Sequence, residues 1–141
     1  MPGDEDMCGN KFFIVLSLFA PLLASAATSD VKSPLFCAAS EVTECSLISG
    51  CKTGSPESFN LSNFMQIDLD KKTLTSPRRK TKIERIVDLD DRIVLQGVEE
   101  GRGWSLEIAK ATGRVVLAIA DLGDEEHSSF VIFGACTALP L

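Results

Sequence analysis

Few residues in this chain of 141 could carry chemistry. Three cysteines fall in the segment "CAASEVTECSLISGC", at Cys37, Cys45 and Cys51, and another, Cys136, comes almost at the end. A zinc site usually presents paired ligands such as C-x2-C, two thiolates on one tight knuckle. Here seven and five residues separate successive cysteines, and the single histidine, His127, has no second one to join it. A C-x-x-C redox motif, with the low thiol pKa it generates, is also absent. With Cys8 set aside as part of the N-terminal signal read below, the four remaining cysteines, an even number in an exported chain, point instead to two disulfides. Of the three connectivities, the favoured one closes a small loop with Cys45–Cys51 and ties the first strand to the last with Cys37–Cys136. On the chain-entropy argument the long closure constrains the unfolded state by about 4.7 kcal/mol and the short one by less than about 3.

The other reactive groups make weaker cases. His127 is followed by Ser128 and Ser129, but neighbours on an extended chain point apart, and a catalytic serine needs its base delivered across space. No G-x-S-x-G elbow is present either. The acidic run 121–129, "DLGDEEHSS", lacks the spaced carboxylates and closing glutamate of a calcium loop and reads as a hairpin tip. Asp88, Asp90 and Asp91 bracket a turn, where aspartate bonds its own backbone. Arg78, Arg79 and Lys80, in the one basic run "SPRRKTK", read as a solvated loop or as a docking patch for an acidic partner. Asn60-Leu61-Ser62 is a formal glycosylation sequon. Trp104 could stack on a ligand, but it alternates in register with Leu106 and Ile108, which places it in the core. No catalytic residue, cofactor or metal site is expected.

The N-terminus sets the compartment. Residues 12–23 form an apolar run followed by Ala24-Ser25-Ala26, the pattern of a cleavable secretory signal spanning 1–26. The run is too short to span a bilayer comfortably, and no stop-transfer segment comes after it. The leading "MPGDED" is acidic where a signal is basic, so Met7, with Lys11 just after it, is an alternative start. Cys8 precedes the apolar run and leaves with the signal. The mature chain, 27–141, is enough for a single domain, located in the periplasm or outside the cell and carrying no membrane span. Setting aside the one lysine and three acids of the first 26 residues leaves thirteen cations against seventeen carboxylates. That balance disfavours nucleic acid and anionic lipid, as does the absence of tyrosine.

The elements that must position these residues read as strands: 64–69, 83–89, 92–98, 103–109, 114–120 and 129–135, with a less regular one near 34–45. Ser55 and Pro56 suit the start of one short helical turn. Lys110 to Gly113 fits a hairpin turn closed by a glycine at positive φ. Connections this short force antiparallel pairing. The expectation is a mainly β domain: a meander of about seven or eight strands forming a small barrel or strongly curved sheet. Residues 27–62 supply a cysteine-bearing strand and loop, and 63–141 the meander.

With Trp104, Ser105, Ile108, Thr112 and Gly113, then Gly134, Cys136 and Thr137, the chain resembles uncharacterised small exported bacterial proteins. These carry a signal peptide, a W-S-x-x-I-x-x-x-T-G hairpin and a C-terminal G-x-C-T. The resemblance implies a disulfide-bearing exported β-domain and carries over no catalytic or binding residue. The function expected is binding without catalysis, of an envelope protein or a small apolar ligand. Trp104 and Arg78, Arg79 and Lys80 are the candidate contacts, and a small hydrolase using loop carboxylates is the alternative.

Overall fold

The computed structural model describes residues 33–123 and 127–138; the signal helix expected over 1–26 lies outside them. Ten strands run antiparallel in one curled sheet, a half-barrel in the order β5-β4-β3-β1-β10-β9-β8-β7-β6, with β2 paired to β1 alone. They are β1 (Leu35–Ser46), β2 (Gly50–Gly54), β3 (Phe64–Asp68), β4 (Thr73–Thr75), β5 (Lys80–Lys82), β6 (Arg85–Asp88), β7 (Arg92–Glu99), β8 (Arg102–Ala109), β9 (Arg114–Leu122) and β10 (His127–Ala138). A 3₁₀ turn, Pro56–Phe59, comes after Ser55 as its N-cap, with Pro56 in the first turn. No helix among the described residues is long and apolar enough to cross a membrane.

The inner face is the apolar face of each alternating strand. Ile93 and Leu95 on β7, Trp104, Leu106 and Ile108 on β8, Val115 and Leu117 on β9, and Ile132 on β10 are all buried. Sheet order follows from hairpins whose turn residues suit them. Glu100 and Gly101 both take positive φ in the two-residue turn between β7 and β8, and Gly113 does so between β8 and β9. Gly113 also has no room for a side chain, because a Cβ there would stand 2.3 Å from the carbonyl oxygen of Cys136.

The irregular first strand has a definite cause. Its register against β10 slips between Ala39 and Glu41, so Ser40 is an extra residue. Leu35 and Cys37 face inward before this bulge and Val42 after it, while Glu41 stays exposed. Without the bulge, strict alternation would turn Glu41 into the core and Val42 out of it. Ser40 Oγ donates to the carbonyl of Phe133 at 3.1 Å.

Both disulfides bridge directly opposed residues. Cys37 pairs with Cys136 across β1 and β10, and Cys45 with Cys51 across β1 and β2, the connectivity favoured by the sequence. The amide of Cys136 donates to the carbonyl of Gly113 on the other side. Cys37 and Cys136 therefore form a non-hydrogen-bonded pair, the type whose side chains approach most closely. Cys37 is only 1% exposed, so this bond is part of the core.

The two edges of the sheet meet on one stretch of chain. Residues 80–88 run in one direction: β5 pairs with β4, and β6 pairs with β7. At the junction Ile83 donates to the carbonyl of Lys72 (2.9 Å), and Glu84 to that of Gln96 (2.9 Å). Gly97 makes this closure feasible. A Cβ at that position would stand 2.4 Å from Trp104 Cζ2 and 2.7 Å from the carbonyl oxygen of Lys82. Gly97→Ala is accordingly expected to lower stability by about 1–3 kcal/mol, read as a lower urea midpoint at unchanged slope. Gly103→Ala, at a position with nothing within 4 Å, should stay within about 0.5 kcal/mol of the parent. Equal effects from the two substitutions would refute the closure argument.

Candidate functional site

Successive hairpins alternate ends, so the turns 47–49, 76–79 and 100–101 share one end of the half-barrel with the β9–β10 hairpin. There the inner face is not filled. A recess of about 190 Å³ is floored by Met65, Leu74, Leu117, Ile119 and Ile132, with Leu61 and Phe64 beside it. Its rim is polar: Asn60, Ser62, Ser76, Arg78, Arg79, Thr81 and Glu99. The rest of the interior is filled by the buried cluster, fourteen of the described residues from Leu35 to Ile132, of which Met65, Leu117 and Ile132 also floor the recess.

The rim is laced by ion pairs and hydrogen bonds. Arg78 donates through Nη1 to the Asn60 carbonyl (3.0 Å) and to Asn60 Oδ1 (2.6 Å), where Asn60 takes positive φ at the end of the 3₁₀ turn. Arg79 reaches Glu100 at 3.2 Å and Glu99 at 3.9 Å. Glu100 also accepts from Arg102 at 2.7 Å, and Arg102 lies 3.8 Å from Asp121. Each such exposed pair is worth about 0–1 kcal/mol, so the chain of pairs positions the loops more than it stabilises them. Asn63 donates through its side-chain amide to the Glu57 carboxylate, and its backbone carbonyl accepts from the Ala39 amide at 2.8 Å.

Of the residues singled out from sequence, Arg78 and Arg79 line the recess and clamp its rim, while Lys80 is exposed beside them at the start of β5. Trp104 is core, 8% exposed. Its indole N–H is buried and finds no acceptor among the described residues, and its side chain does not line the recess. It stands one strand away, paired across β8 and β9 with Ile119 of the recess floor. The floor itself escapes sequence reasoning, since its residues come from β3, β4, β9 and β10 and each alone reads as ordinary core.

Carboxylate chemistry finds little here. Among the described residues, Glu99 is the one carboxylate lining the recess. Asp88 pairs with Lys110 (2.6 Å) at the far end, where Asp91 accepts from Arg92 (2.8 Å). The Arg92 guanidinium holds Asp91 below the usual range for an aspartate. The Lys71 amide and ammonium do the same for Asp68, and the Asn63 amide for Glu57. All three shifts favour the ionised form, the opposite of what a general acid at neutral pH needs. His127 is exposed at the start of β10, with Ser128 and Ser129 alternating beyond it. Among the described residues no three His, Cys, Asp or Glu side chains gather as metal ligands would.

The depressed Glu57 value gives a pH prediction. A carboxylate whose pKa is lower folded than unfolded contributes stability above the unfolded pKa and loses it as pH falls through the folded one. Glu57 should titrate below its ordinary 4.5 when followed by carboxyl NMR, and Asn63→Ala should return it towards that value. A parent midpoint at 4.5 would mean the Glu57–Asn63 contact does not persist in solution. No protein-family model, curated protein or solved structure matches the chain.

Proposed function

We propose that this chain is an exported, non-enzymatic β-domain that binds one compact apolar group in the recess. The group is supplied by a partner protein's side chain or by a small apolar ligand in the cell envelope. The observation that carries the reading is the recess itself, an apolar floor under a polar, arginine-bearing rim. Its volume decides the size of what enters. At about 190 Å³ it is near the roughly 150 Å³ cavity that accepts benzene, and below the roughly 300–1,000 Å³ of sites that take larger ligands. A single aliphatic or aromatic group fits; a long acyl chain does not. Two disulfides and the signal pattern at 1–26 support an oxidising compartment. The hydrolase alternative is less well supported, because among the described residues no second carboxylate lines the recess with Glu99.

Toluene and cyclohexanol, titrated separately to millimolar levels, test this reading. Amide resonances of residues 61–65 and 117–119 should shift, and the emission of Trp104, the chain's single tryptophan, should change in parallel. Thr81→Phe, which fills the recess from β5, should abolish both responses. Shifts absent there, or equally large over the outer sheet face, would remove the recess as a binding site.

A further inference from the structure

The two disulfides occupy opposite faces of the sheet, and the bulge at Ser40 is the reason. Cys37 and Cys45 are eight residues apart on β1, so a regular strand would turn both to one face. The extra residue reverses the alternation. Cys37 stays inward, 1% exposed, with Met65 of β3 on its other side. Cys45 comes out on the outer face with Glu41 and Thr43, and its partner Cys51 is exposed. The strand that this outer bond holds has little else to hold it. β2 pairs with β1 alone, and none of its five residues is buried. Besides the ladder and the disulfide, its tie to β1 is the contact between the Thr43 and Thr53 hydroxyls at 2.9 Å. The chain on either side is anchored independently. The Leu47 amide donates to the His127 carbonyl (3.2 Å), while beyond Gly54 Pro56 is buried and Phe59 packs on the core. β1 itself is paired with β10 from Leu35 to Ser46.

We propose that Cys45–Cys51 is a site of reversible thiol–disulfide exchange with an external dithiol, and that its reduction unlatches residues 48–53 from β1 while Cys37–Cys136 keeps β1 and β10 joined. Nothing in this depends on the recess. Exchange requires a thiolate to reach a disulfide sulfur, so exposed disulfides are the labile ones and buried ones resist. A thiolate of the dithiol attacks the sulfur of Cys51, the more exposed partner. The S–S bond breaks, and Cys45 leaves as a thiolate that takes up a proton. The dithiol's second thiol, giving up its own proton, then displaces Cys51 from the mixed disulfide. The protein has gained two electrons and two protons, and the dithiol has become a disulfide. With the bond open, residues 48–53 keep only an exposed ladder, the kind of segment that opens locally at small cost. Its release leaves one side of β1 unpaired along Val42–Ser46, and an unpaired strand edge is a template for another strand. The outer disulfide is thus the latch on an edge that the rest of the fold keeps covered.

Differential alkylation of the full chain, with both disulfides formed, tests the exchange site. A dithiothreitol series without denaturant, quenched with N-ethylmaleimide and mapped by mass spectrometry, should label Cys45 and Cys51 first. Labelling of Cys37 and Cys136 should need at least about tenfold more reductant. Hydrogen exchange tests the latch. In the half-reduced form the β2 amides should exchange about tenfold faster or more, those of β7, β8 and β9 should be unchanged, and reoxidation should restore the slow rates. Cys45→Ser/Cys51→Ser reaches the opened form by a second route and should give the same exchange pattern with Cys37–Cys136 intact. Labelling of all four cysteines together, of Cys37 and Cys136 first, or of none short of the urea midpoint overturns the exchange site. Selective reduction that leaves β2 exchange as slow as in the parent overturns the latch.

Discussion

The indole of Trp104 and the carbonyl of Lys82 both crowd the point where a Cβ on residue 97 would sit, and the curl of the sheet depends on that point being empty. A twisted antiparallel sheet leaves two raw edges, each with unpaired backbone groups open to other chains. This chain brings its edges together by handing one run, residues 80–88, from β4 to β7. The handover needs close backbone approach at Gly97 and a wide apolar surface beside it, which Trp104 provides. Packing against the indole compensates for the missing side chain, as aromatic neighbours do for strand glycines elsewhere.

Closing the sheet this way also shapes its open end. Where β5 runs beside the last residues of β7, no ladder joins them, and the gap is spanned by Arg79 reaching Glu99 and Glu100. The side chains behind that gap, Leu117, Ile119 and Ile132, extend too little to fill the space. The recess is thus a by-product of closure through the run 80–88, and its arginines hold the rim together. The resembling motif has a structural meaning in the same terms. Trp104 packs on Gly97, Gly113 lies under the Cys136 carbonyl, and a Cβ at Gly134 would stand 2.2 Å from the carbonyl oxygen of Ala38 at the bulge. These positions are held by contacts inside the sheet.

Legibility in the sequence tracks local pattern. β7, β8 and β9 alternate cleanly, and their order and hairpins can be read from residues 92–120 alone. β2, β4 and β5 cannot: "GCKTG", "TLT" and "KTK" carry no alternation and become strands through the neighbours they pair with. The strands among the described residues number ten, more than the pattern suggests, for that reason. The region 34–45 reads as irregular because one residue, Ser40, breaks the period of two that a strand normally keeps. The recess is invisible because no local window contains it. Arg78 and Arg79 stand out by their charge, but their ties to Asn60, Glu99 and Glu100 bridge separations that spacing does not encode.

The bond between Cys37 and Cys136 joins the first strand to the last close to where each begins and ends. In mechanical terms, a pull on the two ends of the described chain would be borne by this covalent link and by the few residues outside it. The 98 residues enclosed between the two cysteines would feel almost none of that load. β1 and β10 could not be sheared apart, and the recess would keep its shape while the ends were tugged. While that bond is intact, a pull from outside it cannot unravel the strands it encloses.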